Sequence, residues 1–226
     1  VEITIRHDPS FAVARCGLGA GESIRAESGA MMATSAGVGV EAKAQGGILK
    51  SLGRMALGGE SFFMSTFTAP AGGGWVDVAA HLPGDVLSHE VIDGRALNIS
   101  RGSFLACEDG VAIDTRWGGF KNLFGGEGGF LVHASGNGTV LLSCYGALDM
   151  IDLADGETMV VDSGHMVAYD ETVSATLRRI SKTLTSLKSG EGFVFDFTGP
   201  GRLYVQSRNP TALIEWLTMA LPFSRA

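Results

Sequence analysis

An all-β fold of three tandem, similar β-units in a pseudo-threefold arrangement, closed by a short C-terminal helix, is what the sequence predicts. Three observations carry that expectation. A thirteen-residue phrase is written three times along the chain. Runs of four to seven residues alternate apolar with polar positions, the mark of half-buried strands. Glycine accounts for 33 of 226 residues while charged side chains make up only 18%, a mix suited to many short strands joined by tight turns.

The phrase opens as GESIRAESGAMMA at 21–33, weakens to GRALNISRGSFLA at 94–106, and returns as GETMVVDSGHMVA at 156–168. A second phrase follows each copy: GGESFFMSTFTA at 58–69, GGEGGFLVHASG at 125–136 and SGEGFVFDFTGP at 189–200. Each then runs through a glycine turn into another alternating run, WVDVAA, TVLLSCY or RLYVQSR. The connectors GDVLSHEVIDG at 84–94 and GALDMIDLADG at 146–156 have equal length. Matching order and spacing make the repeat the primary architectural signal. The units are expected at 1–86, 87–150 and 151–226, packed as one globule, because small antiparallel sheets must cover their faces and edges against each other.

Turn chemistry separates the strands. Gly21, Gly29, Gly94, Gly102, Gly156 and Gly164 mark the repeated turns. Glu-Ser-Gly at 27–29 and Asp-Ser-Gly at 162–164 predict glycines with positive φ, and Asp109-Gly110 and Asn137-Gly138 read as hairpin turns. At the end, Asn209 is a candidate N-cap, Pro210 fits the first helical position, and Ala212, Leu213, Trp216 and Leu217 form one apolar stripe of a capping or docking helix.

Composition then limits function. A balance of 17 basic against 24 acidic side chains gives a net charge of −7, which argues against DNA or any general phosphate-backbone partner. Cys16, Cys107 and Cys144 are far apart and odd in number, so neither a disulfide framework nor a zinc site is indicated. No membrane span or signal peptide is legible, and a cytoplasmic location is expected.

Four segments, QGGILKSLGRMALGGESFFMSTFTA, GSFLACEDGVAID, SGNGTVLLSCYG and DSGHMVAYD, resemble a widespread prokaryotic family of unknown function, related to the fungal "altered inheritance of mitochondria" protein. The match covers nearly the whole chain. The resemblance implies a double-stranded β-helix type of fold with three similar domains, like that of the tryptophan RNA-binding attenuation protein. It brings no catalytic motif and no cofactor. RNA binding follows from that fold analogy alone and ranks last.

Candidate chemical groups are sparse. His7, His81, His89, His133 and His165 are scattered without an H-x-H pair, so no metal site is expected, and His165 is read as a structural or surface residue rather than a ligand. Ser28 and Ser163 sit in the repeated turns, where a hydroxyl bonded to local backbone is the simplest account. Glu60, Glu127 and Glu191 recur after a glycine in each unit and are read as turn or interdomain groups. The unusual feature is a set of acid-free segments at 46–59, 116–126 and 177–190 that carry basic residues. Lys50, Arg54, Lys121, Arg178, Arg179 and Lys182 are expected to build a positive face for an anionic membrane surface or an acidic protein. The first and third segments read as amphipathic helices.

The leading expectation is a non-enzymatic, homo-oligomeric scaffold or interaction protein, most simply a trimer. The alternative is a small-molecule-binding protein with an apolar interior site.

Overall fold

The structure, a computed structural model, describes residues 1–44, 63–116, 131–180 and 193–221. Alternation in the sequence becomes nineteen strands among the described residues. After β1 (Glu2–Arg6) come β2 (Val13–Leu18), β3 (Ser23–Glu27), β4 (Met31–Thr34), β5 (Gly39–Ala44), β6 (Phe63–Thr68) and β7 (Gly74–Ala79). A second six follow: β8 (Val86–Val91), β9 (Leu97–Ser100), β10 (Phe104–Glu108), β11 (Val111–Arg116), β12 (Leu131–Gly136) and β13 (Gly138–Ser143). The last six are β14 (Leu148–Leu153), β15 (Thr158–Asp162), β16 (Met166–Asp170), β17 (Ser174–Arg179), β18 (Phe193–Thr198) and β19 (Gly201–Gln206), and helix α1 (Pro210–Ala220) ends the chain. The changeover from one six to the next falls just before Val86 and just before Leu148.

One antiparallel pairing scheme runs through all three sets. The first strand of each pairs with its last, as β2 with β7, β8 with β13 and β14 with β19. The third strand lies on the other side of that last strand, each time with a one-residue register shift, between Met31 and Ala33, Phe104 and Ala106, or Met166 and Ala168. The second and fourth strands flank the fifth. Each six therefore makes two three-stranded layers.

Successive sets share sheets. β3 pairs with β10, and β9 with β16, so two sheets grow to six strands in the orders β5-β6-β3-β10-β13-β8 and β11-β12-β9-β16-β19-β14. The remaining layers are β1-β2-β7-β4 and β15-β18-β17. Three apolar clusters fill the space between layers: one around Cys16, Ile24, Phe67 and Val76, one around Leu97, Ile99, Phe104 and Leu142, and one around Phe195, Phe197, Tyr169 and Leu203. Burial of these side chains supplies the main driving force.

Several local expectations are corrected. Asp109-Gly110 and Asn137-Gly138 are not hairpin turns: β10 and β11 lie in different sheets, as do β12 and β13. They are corners that carry the chain between layers. Arg25 on β3 holds the first corner by donating to the carbonyls of Glu108 and Val111. Gly29 has φ 90°, but Gly164 lies in a 3-10 turn (Ser163–His165) outside the left-handed region; its missing side chain instead makes room for Asn209. In that turn the Asp162 carboxylate, not a serine hydroxyl, accepts from the Gly164 N–H at 2.9 Å. Helix α1 starts as expected, with the Asn209 side chain accepting from Thr211 N and Ala212 N. It does not dock by its stripe, however: none of its residues is buried, and Ile214, Trp216 and Met219 are exposed.

Candidate functional site: a cavity between units and an open seam

Two cavities lie where units meet, while packed apolar side chains fill the space between layers. A cavity of about 370 Å³ is lined by all three sets: Glu27 and His81 from the first, Ser103 and Ser143 from the second, Met166 and Gln206 from the third. The repeated phrase builds it. Its turns, Arg101–Ser103 after β9 and Ser163–His165 after β15, curl around the cavity together with the end of β3.

The wall and floor differ chemically. Gln206 is held at both ends of its side chain, its Oε1 accepting from Tyr145 N at 2.8 Å and its Nε2 donating to the Gly164 carbonyl at 2.9 Å. The His165 ring, through Nδ1, meets the Gln206 carbonyl at 2.6 Å. Ser103 and Ser143 are only 4% and 3% exposed, line the cavity, and have no side-chain hydrogen-bond partner among the described residues. Burial pushes the Glu27 carboxyl up, against the opposing pull of His81 and Arg101.

A second, wider cleft of about 710 Å³ separates the second and third sets. In it the Tyr204 hydroxyl lies 2.8 Å from His89 Nδ1, joining β19 to β8. Burial lowers the His89 pKa and raises that of Tyr204. Arg202 beside them is paired to Asp152 at 2.7 Å. Nucleophile, base and orienting group do not converge here in the way a hydrolytic site requires. Among the described residues no group of three or more His, Cys, Asp or Glu could hold a metal ion. Burial pushes the thiols of Cys16 and Cys107 up to about 12 and that of Cys144 to about 11, which favours the protonated thiol.

The other prominent surface is an open seam. β4 ends one layer and β15 ends another, and neither has a partner on its outer side among the described residues. Met31 and Met32 on β4 are 44% and 54% exposed and Val160 on β15 is 56% exposed.

Of the expected basic face, Lys50, Arg54, Lys121 and Lys182 lie outside the described residues, as do Glu60, Glu127 and Glu191 and the first expected amphipathic helix. Arg178 and Arg179 are described, and they end strand β17 where a helical segment was expected to begin. Arg178 Nε donates to Asp196 at 2.6 Å and Arg179 packs over the Phe193 ring, so both have partners within their own sheet. Ser103, Ser143 and Gln206 were missed by sequence reasoning. One signal was available for Ser103: it replaces Ala30 of the first phrase and His165 of the third.

The family model described as "Mitochondrial biogenesis AIM24" matches residues 3–208. The chain belongs to the AIM24 family. An uncharacterized protein of Streptococcus pyogenes serotype M6 is 29% identical over 232 residues, spanning 99% of this chain and 92% of that one. A crystal structure of a Streptococcus pyogenes protein superposes with a TM-score of 0.82 at 26% identity, covering 97% of this chain and 99% of that chain. The AIM24 likeness thus spans all three sets of strands. No described helix is long and apolar enough to cross a membrane.

Proposed function

We propose that this AIM24-family chain is a non-enzymatic scaffold that self-associates and presents its joined β-layers to partners. The observation that carries this reading is the open seam: of the strand edges left unpaired among the described residues, β4 and β15 are the two whose counterparts in the other units pair across a unit boundary, and both carry exposed apolar side chains. Free edges of this kind are pairing surfaces unless they are blocked by charge, proline or a bulge that turns them away. Closed cyclic symmetry is the ordinary way to satisfy such edges, and a trimer is its simplest form beyond a dimer for a head-to-tail contact. Sedimentation velocity across the micromolar range tests it. An oligomer that dissociates on dilution is expected; a monomer at every concentration contradicts the reading.

A second reading rests on Ser103 and Ser143. The hydroxyls of two nearly buried serines, without a side-chain partner among the described residues and lining a cavity of about 370 Å³, suit a small polar ligand with an apolar flank against Met166 and Leu82. Native mass spectrometry of gently purified protein reads this directly. A stoichiometric bound metabolite, lost in Ser103→Val and Ser143→Val, supports it; a clean apo mass from cells and from a metabolite extract contradicts it.

A further inference from the structure

The three copies of the opening phrase do not have the same surroundings. In the second copy, Phe104 and Leu105 are 0% and 1% exposed, and in the third Met166 and Val167 are 1% and 0% exposed. Their counterparts in the first, Met31 and Met32, are about half exposed. The difference goes with pairing that begins just after these residues. β10 lies against β3 in the register Ala106 to Ala26, Cys107 to Arg25 and Glu108 to Ile24. β16 lies against β9 as Ala168 to Ile99, Tyr169 to Asn98 and Asp170 to Leu97. β4 has the same one-residue shift against its own set as β10 and β16, yet no strand among the described residues pairs with its other side.

The complementary edge is β15. It is the third-set counterpart of β3 and β9, and it too has a free side. Where Asn98 is 8% exposed, Val160 at the equivalent position is 56% exposed. The chain therefore carries one receiving edge and one donating edge of a contact that it forms internally twice.

We infer that β4 of one copy of this chain pairs antiparallel with β15 of a second copy, in the register Ala33 to Val161, Thr34 to Val160 and Ser35 to Met159. The register is fixed by spacing, since seven positions separate Ala26 from Ala33, Ile99 from Ala106 and Val161 from Ala168. Pairing joins β1-β2-β7-β4 to β15-β18-β17 and completes a third composite sheet of the kind that the other two exemplify. It covers Met31, Met32 and Val160, and it satisfies the outward backbone groups of both edges. The occupant is a second copy because the two edges of one chain are not paired with each other. The contact is heterologous, so it propagates head to tail until it closes into a ring. This inference rests on the self-association proposed above and specifies its surface.

Cysteine cross-linking tests it in the full chain. Ala33→Cys and Val161→Cys are prepared separately, then mixed under mild oxidation. Directly opposed residues of an antiparallel pair are close enough for a disulfide, and the native thiols are buried. A covalent dimer is expected in the mixture and in neither preparation alone. A mixture of Ala33→Cys with Thr158→Cys, out of register, is expected to stay uncross-linked. Met32→Lys and Val160→Lys, at positions exposed within the chain, provide variants that leave the fold intact; each is expected to weaken association by about tenfold or more, read by dilution in sedimentation. Three results overturn the inference. If the wild type sediments as an oligomer but the mixture forms no disulfide and the lysine variants associate normally, this surface is wrong while self-association stands. If a chain carrying both cysteines forms only an intrachain disulfide, it closes its own seam. If the wild type is a monomer throughout, self-association itself fails.

Discussion

Ala168 lies across from Ile99 in the register in which Ala106 lies across from Ala26. The repeated phrase is what places them so, because in each copy the strand before the turn and the strand after it belong to different sheets. A turn of fixed length hands the chain from one layer to the next. One edge therefore meets the preceding unit while the other waits for the following one. Conservation of glycine, apolar and alanine positions in the phrase is the sequence-level trace of that hand-over.

Asp77 anchors the first layer. Its carboxylate is buried and accepts from Arg15 at 2.8 and 2.9 Å and from Arg6 at 2.9 Å, and the Arg15 hydrogen bond above all holds its pKa below the usual carboxylate range. A depressed carboxyl contributes stability that is present above its unfolded pKa of about 3.9 and is lost as pH falls through the folded value. Asp77→Asn is expected to cost about 3 kcal/mol, the low end for a broken buried pair because both arginines are about one-third exposed. Urea unfolding at neutral pH measures the loss. The variant's stability should also fall less between neutral pH and strong acid than that of the wild type.

His89 and His133 give the opposite group type with a lowered pKa. Burial is the first cause for both, and for His133 the nearby Arg116 adds to it while Glu171 opposes it. A histidine whose folded pKa is depressed leaves the unfolded chain binding more protons just below pH 6.5, so stability is complete above about 6.5 and declines as pH falls toward the folded value. Thermal unfolding between neutral pH and pH about 5 is expected to show this decline, and His133→Gln to flatten it. An unchanged slope in that variant would assign the pH dependence to other groups.

The junction of the first two units is tight at Gly84. It bridges Gly146, while Asp85 N donates to the Gly146 carbonyl at 3.0 Å, and a side chain at Gly84 would run into the Cys144 carbonyl. Gly84→Ala is expected to destabilise by about 3 kcal/mol through overpacking against backbone. Gly102→Ala is the control, with nothing near its missing side chain and no left-handed φ, and should stay within about 0.5 kcal/mol of the wild type. Chemical denaturation of the two variants side by side decides the comparison.

Much of the fold was legible because periodicity and turn residues are local. The alternating runs around Phe195 and Val111 became strands, Asn209 and Pro210 started the helix, and Gly21, Gly94 and Gly156 share φ of 72°, 79° and 74°. The corners at Asp109 and Asn137 were misread because hairpin and corner use the same residue types; the difference lies in which sheet each strand joins, a non-local fact. Trp216 was assigned to a docking face because an apolar stripe tells that a surface is sticky, not what covers it. Ser103, Ser143 and Gln206 escaped notice because burial of a polar side chain in a cavity depends on units more than a hundred residues apart, as with Glu27 and Ser143. The Met31 and Met32 exposure was equally hidden, since their phrase reads the same as its buried copies.

Amide hydrogen exchange of wild-type β4 and β15, at low and high protein concentration, tests the central claim most directly. The account predicts slow exchange at high concentration for amides of both strands, approaching that of β10 and β16, and faster exchange on dilution into monomer. Equally fast exchange of β4 and β15 at both concentrations, with β10 and β16 protected throughout, would contradict it.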